Sequence, residues 1–154
     1  MASIRYKSGD HQLLDQIQPL WEQLNLHHAQ VSPHFDDDFH QYDFATRKAK
    51  LLQKYADGEI RVDIAQFEGC NVGYLISGVT IDRNGEIESI SIAEDFRGQA
   101  IGDQLMRRAL AWLDEQNVHT KIVDVAFGNE RAYSFYARFG FYPRVVKLNQ
   151  KGAS

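Results

Sequence analysis

Arg97-Gly98-Gln99-Ala100-Ile101-Gly102 sets two glycines four residues apart, directly ahead of a long amphipathic run. A strand that ends in such a turn and opens a helix leaves several main-chain N–H groups unpaired. They point one way beside the positive end of the helix dipole, an arrangement that suits phosphate. The same spacing also describes a tight turn whose glycines only let the helix approach the sheet. The chain has neither a phosphate loop with Lys and Ser/Thr after its glycines nor a three-glycine dinucleotide fingerprint. Glu86 and Glu88 alternate with Ile87, so a regular strand turns both carboxylates to one side. Tyr136 falls four residues after Ala132 and three before Phe139, which puts the three on one helix face. Its ring can pack inward while its hydroxyl reaches a cleft, although Tyr133, Phe135, Phe139 and Phe141 make a core tyrosine the preferred reading of these residues alone.

The elements that must position these residues can be read from periodicity. Leu13, Ile17, Trp21 and Leu24 predict a helix from about Asp10 to Leu26, with Pro19 either kinking it or opening its second half. Phe44, Leu51, Leu52 and Tyr55 mark a second helix stopped at Asp57-Gly58. The runs EIRVDIAQF, VGYLISGVTI and EIESISI predict three consecutive antiparallel strands, with Asn84-Gly85 as a hairpin signal. Ile101, Leu105, Met106, Ala109, Leu110, Trp112 and Leu113 form the apolar face of a helix that packs on the sheet. TKIVDVAF then reads as a strand reached through that helix, parallel to EIESISI by a right-handed crossover. NERAYSFYARFG reads as a last helix ending at Gly140, and FYPRVVKLN as a last strand, on an edge because Pro143 cannot donate to a ladder. The predicted fold is α/β (α+β), a mixed and mostly antiparallel sheet flanked by helices.

At 154 residues, with 44% hydrophobic and 25% charged side chains, the chain predicts one globular domain over residues 1–154. No run approaches the roughly 20 apolar residues of a membrane span, and MASIRYKSGD lacks the apolar core of a signal peptide, so a cytoplasmic protein is expected. A net charge of -4 with mixed signs offers no basic stripe for nucleic acid. The lone cysteine, Cys70, excludes an internal disulfide and reads as a buried or turn thiol. His11, His27, His28, His34 and His40 gather early, the last two flanking Asp36-Asp37-Asp38. Their spacings match no established metal-ligand pattern, so no metal is expected and a solvated loop between helices is the stronger reading.

With both motifs on the page, the chain resembles the GCN5-related N-acetyltransferase family. Arg97-Gly98-Gln99-Ala100-Ile101-Gly102 is similar to its pyrophosphate motif, except that Ala100 stands where the family usually has glycine. NERAYSFYARFGF is similar to its C-terminal motif. The resemblance implies acetyl-coenzyme A as cosubstrate, its pyrophosphate on the N–H groups of Gly98, Gln99, Ala100, Ile101, Gly102 and Asp103, with Arg97 adding charge. It implies that the strand of Ile90, Ser91 and Ile92 splays from its parallel neighbour, that the pantetheine arm slots between them, and that the N–H of Ile90 or Ile92 polarises the thioester carbonyl. Asn129 bonds the pantetheine amide or caps the last helix.

By the same resemblance the activity is acetyl transfer to a primary amine by direct attack, with Glu88 as a base acting through water. Glu86 holds the position used in the histone-acetylating branch, and Tyr136 is the general acid for the departing thiolate. The acceptor is a small-molecule or protein amine, and the acidic, histidine-bearing region suggests a small cationic one. A homodimer is a state the resemblance allows. A different reading is an acyl-coenzyme A sensor that binds without turnover.

Overall fold

The computed structural model describes residues 3–152. A five-stranded sheet runs β1 (Arg5–Gly9), β2 (Glu59–Phe67), β3 (Cys70–Val79), β4 (Asn84–Ile92) and β5 (Thr120–Val123) in spatial order. Every neighbouring pair is antiparallel except β4 and β5, which are parallel. Helix α4 (Ile101–Glu115) makes the crossover between them, as a parallel connection requires. The mixed, mostly antiparallel sheet expected from the sequence is therefore present.

Two cores lie on its opposite faces. Val62, Ile64, Tyr74 and Ile76 point to one face, where Leu14, Ile17, Trp21, Phe44 and Leu51 of the leading helices cover them. Ala65, Leu75, Val79 and Ile87 point to the other, under Ile101, Leu105, Met106, Ala109 and Leu113 of α4. That alternation is the strand period of two meeting the helix period of 3.6. Asp63 is buried among the second set because Arg61 grips both its oxygens at 2.9 Å.

Pro19 opens a helix rather than kinking one. His11–Ile17 is a 3-10 helix, and α1 (Gln18–Val31) begins with the proline in its first turn, where no N–H is needed. Helix α3 (Phe44–Lys54) is capped by Asp43, whose carboxylate accepts from the Thr46 N–H at 2.8 Å. The hairpin between β2 and β3 turns on Glu68-Gly69, both at positive φ. Cys70 is exposed as the first residue of β3.

Five expectations are corrected. β1 was unexpected, its short run offering only Tyr6 as a strong strand former. The loop predicted around Asp36-Asp37-Asp38 is helix α2 (Asp36–Gln41), the three aspartates filling the first turn where the dipole favours them. The β3–β4 turn falls at Ile81-Asp82-Arg83, with Arg83 at φ 63°, and Asn84-Gly85 already belongs to β4. β5 stops at Val123, short of the predicted Phe127. FYPRVVKLN is not a strand: it runs without regular structure beyond α5 (Arg131–Ala137), its Val145 81% and Leu148 90% exposed.

Candidate active site

Between β4 and α4 the chain makes one 3-10 turn, Glu94–Phe96, and then the glycine turn. Gly98 sits at φ 79° and Ala100 at φ 62°, both left-handed, before α4 starts at Ile101. The first main-chain bond of the helix is Gln104 N–H to Ala100 O at 3.2 Å. The N–H groups of Gly98, Gln99, Ala100, Ile101, Gly102 and Asp103 have no main-chain partner among the described residues. Six free donors at a helix start are the groups that an anion cradle requires.

The two glycines serve different ends. A Cβ on Gly98 meets nothing within 4 Å, so its reason is backbone conformation. A Cβ on Gly102 lies 3.2 Å from the Phe135 ring, so its reason is the close packing of α4 on α5. Ala100 holds the left-handed conformation that explains a preference for glycine there, at a cost of about 1–2 kcal/mol. Arg97 Nε donates back to Ile92 O at 3.2 Å, tying the turn to the end of β4. Asp103, in the first turn of α4, has its carboxylate occupied by Arg138 at 2.9 and 2.7 Å. That pairing offsets the one acidic side chain in the first turn.

β4 and β5 part company at mid-strand. Their ladder runs from Asn84 opposite Thr120 to Ile87 opposite Val123 and then stops. On the other edge Ile76 pairs with Ser89 and Ser77 with Ile87, which leaves Glu88 as the extra residue of a β-bulge. The Ala93 N–H bonds Val72 O at 2.8 Å. By the alternation of an antiparallel ladder, Ser91 then turns its main chain to β3, while Ile90 and Ile92 turn theirs to the open side. Past the end of the β5 ladder, the open side of β4 thus offers the N–H groups of Ile90 and Ile92, the Ile92 carbonyl being taken by Arg97.

Glu88 lies at the inner end of that edge, its side chain only 4% exposed. Arg47 Nη2 donates to its carboxylate and its carbonyl, each at 3.0 Å, Lys54 Nζ reaches its carboxylate at 2.7 Å, and the Tyr55 hydroxyl donates to the same carboxylate. Burial pushes Glu88 up, but the bonds from Lys54 and Tyr55 and the charge of Arg47 outweigh it and hold the carboxyl below its ordinary value. Lys54 also reaches Glu86 at 2.7 Å, so both carboxylates do face one side, toward α3. Glu86 moves the opposite way: burial raises it, the Lys54 bond lowers it, and the charges of Glu88 and Asp124 raise it further. Tyr55 fits against the sheet because Gly78 has no side chain; a Cβ there falls 2.2 Å from its ring.

Tyr136 is buried, its ring 5.2 Å from Phe135 and 6.2 Å from Phe141, and burial pushes its hydroxyl up to about 12. That hydroxyl makes no hydrogen bond among the described residues. Tyr74, bonded to Ser89 beside the bulge at 2.6 Å, is raised above all by burial and further by Tyr136 nearby. The Asn129 side chain does not cap α5, whose N-cap is Glu130 with no side-chain bond. His28 packs edge-on against Phe39 of α2, 5.5 Å between centroids, and burial with the charge of His27 brings it down to about 4.

In sequence Tyr55 marks only an apolar helix face, and nothing there assigns Arg47 or Lys54 to the site. Their spacing of seven and eight along α3 shares one helix face with Phe44 and Leu51. Two cations on an otherwise apolar face were the available signal.

A profile of the acetyltransferase (GNAT) family matches residues 20–141. A putative ribosomal protein bS18-alanine N-acetyltransferase of Bacillus subtilis is 27% identical over 86 residues, 56% of this chain and 56% of that protein. The chain thus spans little more than half the length of that curated relative. Among solved structures, a GCN5-related N-acetyltransferase from Ralstonia eutropha superposes with a TM-score of 0.77 at 17% identity, over 98% of this chain and 100% of the other. The aminoglycoside N-acetyltransferase AAC(6')-Iy, solved in complex with CoA, gives a TM-score of 0.68 at 18% identity, over 97% of this chain and 96% of the other. With the turn, the parted strands and the crossover helix in the order that the profile match covers, the chain belongs to the acetyltransferase (GNAT) family.

Proposed function

We propose that this chain, acting as one domain across residues 1–154, transfers the acetyl group of acetyl-coenzyme A to a primary amine of a small molecule or protein by direct attack. The observation that carries this reading is the continuity of the anion cradle at Gly98 to Asp103 with the open edge of β4. A diphosphate needs converging donors, and an amide-bearing arm needs a free strand edge beside it. Those are the two demands of coenzyme A. The neighbour crystallised with CoA shares the fold.

The N–H of Ile90 or Ile92 serves as the donor that stabilises the oxyanion as the amine attacks the thioester carbonyl. An alkyl ammonium with a pKa of about 10.4 costs roughly 4–5 kcal/mol to deprotonate at pH 7, so a proton acceptor is useful. Of the two carboxylates, Glu86 is the better acceptor because its pKa is raised, while Glu88 is kept ionised by three donors. In this mechanism Glu88, saturated by Arg47, Lys54 and Tyr55, holds the bulge in place, and Glu86 takes the proton through water.

Tyr136 acts on the leaving sulfur. Full transfer from a hydroxyl near 12 to a thiolate whose acid has a pKa of about 8.5 is uphill by roughly 5 kcal/mol. Tyr136 therefore donates a hydrogen bond to the departing thiolate, and the proton on the product thiol comes from the amine or the solvent.

The test is release of free thiol from acetyl-coenzyme A across a panel of amines and amino-terminal peptides. Glu86→Gln and Tyr136→Phe should each lower kcat tenfold or more with coenzyme affinity kept. Tight coenzyme binding with no turnover of any amine assigns the chain to the sensor class and refutes transfer.

A further inference from the structure

Lys54 is the last residue of α3, where the negative end of the helix dipole favours a cation, and the end of α3 lies close on the sheet because the Tyr55 ring packs against Gly78. Its ammonium stands 2.7 Å from a carboxylate oxygen of Glu86 and 2.7 Å from one of Glu88. Those two oxygens are therefore at most about twice that distance apart. The side chains of Glu86 and Glu88 are 14% and 4% exposed, so solvent ions screen them poorly from each other.

Two carboxylates this close and this buried do not both ionise unless a cation stands between them; otherwise one keeps its proton. Arg47, Lys54 and Tyr55 hold Glu88 as the anion. Glu86 has less support: among the described residues Lys54 is the one cation that pairs with it. The other charges that face it, Glu88 on its own strand and Asp124 just beyond β5, repel its anion. Arg47 gives its guanidinium to Glu88, and Tyr55 keeps its proton because burial and the bond to Glu88 push its hydroxyl up.

We infer that Lys54 is a positioning residue for the transfer reaction: seated between Glu86 and Glu88, its ammonium keeps Glu86 ionised and so sets the acid limit of turnover. The inference rests on the reading above, in which Glu86 takes the proton of the amine. Without that ammonium, Glu86 is left to burial and two negative neighbours, and all three favour its protonated form. A protonated carboxyl cannot serve as the acceptor. With Lys54 in place, the ammonium fills one direction on one oxygen, and the remaining lone pairs are open to the water that relays the proton.

Lys54→Met keeps most of the stem and removes the charge, and Lys54→Arg returns it. In chains labelled with carbon-13 at the glutamate carboxyls, with the Glu86 signal assigned by its loss in Glu86→Gln, an NMR titration reads Glu86 without coenzyme or turnover. The Glu86 midpoint is expected to rise by about one pH unit or more in Lys54→Met and to stay near the parent value in Lys54→Arg. The acid limb of kcat/KM, followed with one acceptor so that the amine's own titration is common to all chains, should move with it while coenzyme affinity is kept. An unmoved midpoint in a folded Lys54→Met chain overturns the inference and leaves the transfer reading standing. A midpoint that moves while the acid limb stays, or while no amine is acetylated, removes Glu86 as the proton acceptor, and the inference falls with it.

Discussion

One guanidinium nitrogen of Arg47 holds Glu88 twice, donating to its carbonyl and to its carboxylate at 3.0 Å each. The bulge residue has lost its partner on β3, and Arg47 supplies one from α3. A residue 41 positions away in sequence therefore fixes the point where β4 parts from β5.

Removing that partner should cost stability. Arg47→Ala leaves a buried carboxylate with two donors instead of three and a carbonyl with none, a loss of about 2–4 kcal/mol. Urea unfolding reads it directly, and a change below about 0.5 kcal/mol would show that water replaces the guanidinium without penalty.

His28 gives the fold an acid limit. Its folded pKa lies near 4, below its ordinary 6.5, so its contribution is complete above pH 6.5 and is lost as pH falls from there toward 4. The loss amounts to at most about 3 kcal/mol. His28→Phe should flatten the stability profile across that window; an unchanged slope would place the acid limit elsewhere. Glu88, held below its ordinary value, adds stability that is present above the unfolded carboxyl range and disappears only as pH falls through its folded value.

Ala100 is strained and Gly98 is not. Ala100→Gly relieves a left-handed alanine and should raise stability by about 0.5–1 kcal/mol, since the relief exceeds the added freedom of the unfolded chain. A loss of stability on this change, read by urea unfolding, would mean that the alanine methyl makes a contact worth more than the strain.

The Tyr136 hydroxyl has no hydrogen-bond partner among the described residues, so Tyr136→Phe should leave the unfolding free energy within about 0.5 kcal/mol of the parent while turnover falls. A large stability loss would assign the hydroxyl a structural bond instead.

The glycine turn, the three-strand meander, the crossover helix and the alternation of Glu86 with Glu88 were legible because each depends on local spacing. What was not legible depends on tertiary pairing. β1 forms because β2 offers it an edge, and β5 stops at Val123 although its sequence runs on. The tail has strand composition, yet from Tyr142 to Asn149 it makes no main-chain hydrogen bond among the described residues. Arg47, Lys54 and Tyr55 look like ordinary helix residues until the sheet brings the bulge beneath them.

The most direct test of the account is calorimetric titration with acetyl-coenzyme A of the parent chain beside Ala100→Asp. Aspartate tolerates the left-handed backbone that Ala100 adopts and sets an anion among the free N–H groups. Saturable binding by the parent and at least a tenfold weaker affinity in a folded variant are expected. No binding by the folded parent, or equal binding by both, would contradict it.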